Sequence, residues 1–203
     1  HCLESDITCG GASIFLDGFE IAEIVLQEEA SQAHSGEGYW INLSDNYRIL
    51  DNGDLIWWSE RDGFGHLYRY LGDEGWRGYQ RLTKGNFVVT KLVGVNEQDG
   101  HLFYLATSED DPLEQHVYSL DLDAEGPATA QRLTEPGFMH TAKMDAKGQT
   151  LLITRSSDNS PPQTYIADEQ GNRLAWVEEN ALDSDHHYVS YLASQHKVES
   201  RTI

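Results

Sequence analysis

The feature that most constrains the fold of this chain is a short pattern that returns after about 50 residues. The sequence QRLT at residues 80–83 recurs at residues 131–134, a shift of 51 positions (131 minus 80). The sequence HLY at residues 66–68 returns as HVY at residues 116–118, a shift of 50 (116 minus 66). A period of this length is typical of folds whose units stack side by side and bury one another's apolar faces.

Each repeat also contains a short apolar run that follows a turn signal. The runs are LIWWS (55–59), LFYL (102–105) and LLIT (151–154), and the turns that precede them lie at 51–54, 98–100 and 145–148. The turns contain Gly, Asn and Asp, which tolerate the positive φ of tight hairpins. Because the runs are short and rich in aromatic and β-branched residues, the sequence predicts strands.

Continuous apolarity, as in residues 55–58, indicates a strand that is buried on both faces. The inner strands of a β-propeller blade meet this condition because neighbouring blades cover both sides. Four short strands in roughly 50 residues are the size of one blade. We therefore predict an all-β fold, a partial β-propeller of about three to four blades, each a four-stranded antiparallel sheet.

The predicted blades occupy residues 37–182, with units near 40–87, 88–136 and 137–180. An arc that does not close would leave apolar faces bare on its end blades. We expect those faces to be covered by more of the same polypeptide or by a second copy in a homodimer.

The two ends of the chain match the repeat poorly. Residues 1–36 are interpreted as a partial blade or a poorly matching N-terminal segment. Within it, residues 21–26 are expected to form a strand, although the apolar spacing also allows a helix over 21–33. Residues 183–203 are expected to be a linker. Cys2 and Cys9 are the two cysteines, and the sequence leaves open whether they pair.

The charge of the chain excludes one class of partner. The formal net charge is −20, from 34 acidic and 14 basic residues. Nucleic acids are bound through clustered Lys and Arg, so we expect no nucleic-acid partner. The acidity favours a solvated surface, with attraction of a cationic group such as a peptide ammonium as the alternative. No apolar run approaches the roughly 20 residues that span a membrane.

Candidate chemical sites are few. Asp183, Asp185, His186 and His187 are metal-ligand types, but consecutive histidines do not easily point at one centre, so a solvated linker is favoured. Residues 121–123 lack the spacing of a calcium loop. The sequence contains no G-x-S-x-G, the turn that exposes a catalytic serine. We therefore expect neither metal, cofactor nor catalytic residues in this chain.

Particular residues point to a family. The run SERDGFGHLY at 59–68 resembles the hairpin found in propellers of the dipeptidyl peptidase IV branch of the prolyl oligopeptidase family. Its members here are Ser59, Glu60, Arg61, Asp62, Gly63 and His66, which we interpret as a structural motif. Further matches lie at 39–43, 82–85, 133–134, 137–140, 156–164 and 178–180. Arg61 is interpreted as organising the hairpin, with contact to a neighbouring domain as the alternative.

The resemblance implies a larger protein. In this family a propeller caps an α/β-hydrolase domain, and the enzyme releases X-Pro or X-Ala dipeptides from peptide N-termini. Residues 183–203 would then lead toward that domain. Tyr39 and Trp40 would line an outer subsite for the peptide, with blade packing as the alternative for Trp40. Glu28 and Glu29 are not assigned the ammonium-binding role, because their position corresponds to a different blade-closing glutamate.

The sequence thus favours one function and leaves a second open. The favoured function is the propeller portion of a serine exopeptidase, which restricts access and positions the peptide. The alternative is a stand-alone propeller-like scaffold that binds proteins or peptides without peptidase activity. The resemblance implies a periplasmic or extracellular location, and the sequence itself leaves the compartment open.

Overall fold

The computed structural model describes residues 15–16, 19–20, 46–73, 78–124, 129–192 and 194. The chain separates into two compact units, His1–Leu43 and Ser44–Ile203. In the first unit, strands β1 (Phe15–Leu16) and β2 (Phe19–Glu20) pair antiparallel. The strand and helix predictions for residues 21–33 lie outside the described residues, as do Cys2 and Cys9.

The secondary structure described in the second unit is almost entirely β-strand. They are β3 (Tyr47–Ile49), β4 (Leu55–Ser59), β5 (His66–Tyr70), β6 (Tyr79–Arg81), β7 (Val89–Asn96), β8 (His101–Thr107), β9 (Gln115–Asp121), β10 (Gln131–Arg132), β11 (Met139–Met144), β12 (Leu151–Ser157), β13 (Ser160–Ala167) and β14 (Arg173–Glu178). A short helix, α1 (Val189–Leu192), follows them.

The strands form three antiparallel meanders of four strands each. Strands β3–β6 make one separate sheet, here called the first blade. Strands β7–β10 and β11–β14, the second and third blades, share one larger sheet. They meet through a parallel pairing of β9 with β11, at Gln115 and Met139. The predicted fold class, an all-β partial propeller, is confirmed.

The predicted runs and turns fall where the repeat places them. The three apolar runs lie in β4, β8 and β12. The glycines of the preceding turns have φ of +86° at Gly53, +69° at Gly100 and +74° at Gly148. These values belong to the left-handed region, which glycine adopts without steric cost. The turn residues therefore set the hairpins for the reason inferred from the sequence.

The core consists of two apolar clusters that alternate along β8. Leu102, Tyr104 and Ala106 pack against the first blade, where Ile56 and Leu67 are buried. The side chains between them, Phe103 and Leu105, point the other way and pack with residues of the third blade. The residues of that cluster from the third blade are Ala142, Leu151, Ile153, Tyr165 and Ala167. Burial on both faces explains the continuous apolar run.

The third blade departs from this pattern. In β12, Leu151 and Ile153 are fully buried, whereas Leu152 between them is 40% exposed. On β14, Leu174 and Val177 are 63% and 60% exposed. One face of this blade packs on the second blade and the other faces solvent, so burial along β12 alternates. The sequence run 151–154 looked like the other two, but its outward face has a different environment.

Candidate functional site

The hairpin between β4 and β5 carries the most specific motif of the sequence. Its turn closes through the Gly63 amide, which donates to the Glu60 carbonyl at 2.9 Å. Gly63 has φ of +99°, a conformation that most other residues avoid. The Ser59 hydroxyl accepts from both the backbone N and the Nε of Arg61, each at 3.2 Å. The turn thus aims the Arg61 side chain back across its own hairpin.

Arg61 lies among three tyrosine rings. Its guanidinium carbon is 4.4 Å from the centre of the Tyr68 ring, 4.6 Å from that of Tyr79 and 5.6 Å from that of Tyr70. The guanidinium also donates to the Tyr70 hydroxyl at 2.6 Å. A cation over aromatic faces is attracted by about 0.5–1 kcal/mol at exposed sites, and more when water is excluded. These contacts suit an arginine that organises its own sheet.

Asp62 ties the same hairpin to the edge strand β6. Its Oδ2 accepts from the Tyr68 hydroxyl at 2.7 Å and from Arg81 at 2.9 Å. Burial, and then the hydrogen bond to Asp62, raise the pKa of Tyr68 well above its ordinary value. Tyr68 therefore stays a neutral donor. That Arg61 also meets a neighbouring domain stays a prediction.

His66 marks the other end of the motif and is fully buried. Its Nδ1 accepts from the Thr83 hydroxyl at 3.0 Å, and its Nε2 donates to the Gly85 carbonyl at 3.2 Å. The Thr83 oxygen in turn accepts from the Leu67 amide at 3.0 Å. Burial, and then the positive charge of Arg81, lower the pKa of His66. A neutral imidazole thus connects the blade's third strand to the turn after its fourth.

The second blade repeats this arrangement. His116 Nδ1 accepts from the Thr134 hydroxyl at 3.2 Å, and the Val117 amide donates to the same oxygen at 3.1 Å. Here Nε2 donates to Glu114 at 3.0 Å, where His66 uses a backbone carbonyl. The repeats HLY/HVY and QRLT therefore encode a hydrogen-bonded histidine–threonine pair in each of the first two blades. The sequence contained both halves, but the period alone did not show that they touch.

A side-chain hydrogen bond also crosses each described joint between blades, and the sequence did not predict it. Trp58 Nε1 donates to the Val89 carbonyl at 2.7 Å, across the joint between the first and second blades. At the next joint, Gln115 Nε2 donates to the His140 carbonyl at 2.7 Å. Gln115 precedes His116 as Gly65 precedes His66, and a Cβ on Gly65 would lie 2.4 Å from the Trp58 ring. At both joints a side-chain N–H thus donates to a carbonyl of the next blade, from β4 at the first joint and from β9 at the second.

A cavity of about 720 Å³ lies beside the hairpin between β12 and β13. It is lined by residues 156–162, 180–182 and 186–188. The rings of His186 and His187 stack at 4.9 Å, and His186 Nδ1 accepts from the Tyr188 amide at 3.2 Å. Across the part of the chain that the structure describes, no cluster of three or more acidic, histidine or cysteine side chains could hold a metal ion.

The predicted substrate-lining residues Tyr39 and Trp40 lie outside the described residues, as do Glu28 and Glu29. In the described ranges, no helix is long and apolar enough to cross a membrane.

Successive four-stranded antiparallel sheets with a side-chain hydrogen bond across each described joint define a β-propeller segment. Residues 21–162, more than half of the chain, match the family model described as the dipeptidyl peptidase IV (DPP IV) N-terminal region. The chain belongs to this family. The resemblance inferred from the hairpin motif is thereby confirmed.

Two solved structures agree. Dipeptidyl peptidase 4 of Porphyromonas gingivalis is 28% identical with a TM-score of 0.58, over 68% of this chain and 18% of that protein. A protein of Bacteroides ovatus, described as a dipeptidyl aminopeptidase IV, is 19% identical with a TM-score of 0.50, over 62% of this chain and 20% of its own length. The second likeness concerns the fold alone. The chain therefore spans about a fifth of each.

Proposed function

We propose that this chain is the propeller portion of a dipeptidyl peptidase IV-like serine exopeptidase, and that it restricts access to the active site and positions peptide N-termini. The observation that carries the proposal is the family match over residues 21–162. The hairpin motif at 59–68 supports it, because Arg61 and Asp62 bind residues of their own blade, as expected of residues that build a rigid wall. In this proposal the catalytic residues belong to an α/β-hydrolase domain of the same polypeptide.

The physical task of such a wall is orientation. Holding a peptide end at a fixed angle and distance from a nucleophile lowers the entropic part of the barrier, provided that the wall does not move. The two buried clusters and the histidine–threonine pairs supply that rigidity. The net charge of −20 favours the approach of a positively charged peptide N-terminus over that of an anion.

The proposal is tested on the polypeptide that contains this chain. We expect it to hydrolyse a glycyl-prolyl chromogenic substrate, and a serine-directed inhibitor to abolish the hydrolysis. The 203-residue chain alone should leave the same substrate intact. If the polypeptide lacks a serine whose replacement removes the activity, the peptidase function is wrong and the stand-alone binding scaffold takes its place.

The predicted subsite has its own test in the same polypeptide. If Tyr39 lines an outer subsite, Tyr39→Ala should raise KM for a longer peptide about tenfold and leave the short chromogenic substrate almost unchanged. Tyr191, which is 64% exposed, provides the matched control. Tyr191→Ala should leave KM unchanged for both the longer peptide and the short substrate. Equal effects of Tyr39→Ala on both substrates would contradict the subsite role.

A further inference from the structure

The joint between the second and third blades contains two buried histidines. The rings of His116 and His140 lie 5.3 Å apart, and both side chains are inaccessible to solvent. His140 Nδ1 is 2.9 Å from the Gln115 carbonyl. A carbonyl only accepts, so Nδ1 carries the proton and Nε2 carries a lone pair. Among the described residues, this Nε2 is the buried side-chain atom without a hydrogen-bond partner.

Charged groups surround this pair on every element that packs against it. On the side of β9, Glu114 accepts from His116 Nε2. In the connection from β10 to β11, Glu135 Oε2 lies 3.9 Å from His140 Nε2. Glu135 is paired with Arg155 of β12. Arg132 of β10 adds a positive charge near His116. Glu135 thus pairs with Arg155 through Oε1, while its Oε2 faces His140 Nε2 beyond hydrogen-bond distance.

The corresponding joint between the first and second blades is built without a second histidine. Val89 occupies the position of His140, seven residues after Leu82 as His140 is seven after Leu133. His66, the counterpart of His116, has partners on both ring nitrogens. Of the two described joints, only the second therefore contains a buried histidine whose second ring nitrogen has no hydrogen bond.

We propose that the joint between the second and third blades is acid-sensitive, and that protonation of His140 opens the connection formed by residues 133–140. An imidazolium at this position would lose its hydration and face a second imidazole 5.3 Å away. When the connection opens, the His140 imidazolium is hydrated again. Phe103, Leu105, Ile153 and their neighbours form a buried cluster of which His140 is not a member, so the sheets stay packed while the connection opens.

The sign and the size of the effect follow from linkage. Burial lowers the pKa of His140 from its ordinary 6.5 to about 4 in the closed joint. The open form thus binds the proton more tightly, so the closed form keeps its full advantage above pH 6.5 and loses it as the pH falls toward 4. At pH 5 the opening equilibrium constant from His140 alone should be about 30-fold larger than at pH 8.

Hydrogen exchange on the full chain measures this opening. The Leu133 amide donates to the Val117 carbonyl and the Gly137 amide donates to Glu114, so both report on the connection. After correction for intrinsic exchange rates, their protection should fall about 30-fold from pH 8 to pH 5. The amides of β8 should change less than threefold over the same range.

Two variants isolate His140. His140→Val introduces the residue of the first joint and should greatly weaken the pH dependence of protection at 133–140, leaving the smaller part that buried His116 contributes. His101→Gln removes a partly exposed histidine of β8 and should leave that dependence intact. The proposal is wrong if His140→Val loses as much protection between pH 8 and pH 5 as the wild-type chain does. It is also wrong if the loss is spread evenly over all strands. Constant protection at pH 5, which is expected if Glu135 moves from Arg155 to the protonated His140, would overturn it as well.

A titration of the wild-type chain keeps the proposal testable if His140→Val does not fold. Nuclear magnetic resonance of the imidazole Cε1–H groups should then show at least one histidine that stays neutral below pH 5. If all nine histidines titrate at or above pH 6, His140 is not buried as a neutral ring and the proposal fails.

Discussion

Replacing Thr83 with valine tests whether the hydroxyl of the repeated threonine, rather than its shape, stabilises the first two blades. Valine has almost the same volume but cannot form hydrogen bonds. In the first blade the Thr83 hydroxyl donates to His66 and accepts from the Leu67 amide. All three residues are buried, so neither partner can turn to water instead.

Thr83→Val leaves two buried groups, His66 Nδ1 and the Leu67 amide, without a hydrogen-bond partner. A buried donor or acceptor left unpaired costs about 1–3 kcal/mol, so Thr83→Val should lower the free energy of unfolding by roughly 2–6 kcal/mol. Thr83→Ser keeps both hydrogen bonds and removes one buried methyl group, which costs about 1 kcal/mol. Thr134→Val should match Thr83→Val, because Thr134 bonds His116 and Val117 in the same way.

Urea denaturation followed by circular dichroism measures these differences. The midpoints should fall in the order wild type, Thr83→Ser, Thr83→Val, with the slope m unchanged. If Thr83→Val and Thr83→Ser agree to within about 0.5 kcal/mol, the hydroxyl contributes nothing beyond packing and the reasoning is refuted. A normal midpoint for Thr134→Val beside a low one for Thr83→Val would show that the two blades do not share the device.

Two further substitutions test the remaining contacts. Arg61→Lys loses the planar guanidinium between the Tyr68 and Tyr79 rings. It should lower the free energy of unfolding, measured by thermal denaturation, by about 1–2 kcal/mol. Arg132→Lys, at an exposed position, should change this free energy by less than about 0.5 kcal/mol. A loss shared equally by both variants would contradict the ring contacts. Gly65→Ala forces a Cβ against Trp58 and should cost about 1–3 kcal/mol, which Trp58→Leu in the same chain should partly restore; no restoration would mean that the clash lies elsewhere.

The period of the repeat predicted the strands and turns well because those features depend on local residues. Gly53, Gly100 and Gly148 adopt positive φ where the turns required it. The run 55–59 is a strand at the bounds that its composition indicated. In each case the physical cause, a turn conformation or apolar burial, is written into a few adjacent residues.

The side-chain contacts between strands could not be predicted from the sequence, because they depend on which residues the fold brings together. Thr83 meets His66 only because β5 and β6 pair in one particular register. Trp58 and Gln115 supply the same kind of donor from positions that a repeat alignment does not equate. The orphaned nitrogen of His140 depends on what the other ring nitrogen and Glu135 are bound to. Such pairings are set by tertiary geometry.

The alternation along β8 determines which changes of sequence this fold can accept. Odd-numbered and even-numbered residues of Leu102–Leu105 belong to different interfaces, so a substitution disturbs the fit on one side of the second blade and spares the other. Inserting or deleting one residue would exchange the two sets of side chains and spoil both fits together. Variation in length among relatives should therefore collect in the connections and leave this strand at constant length.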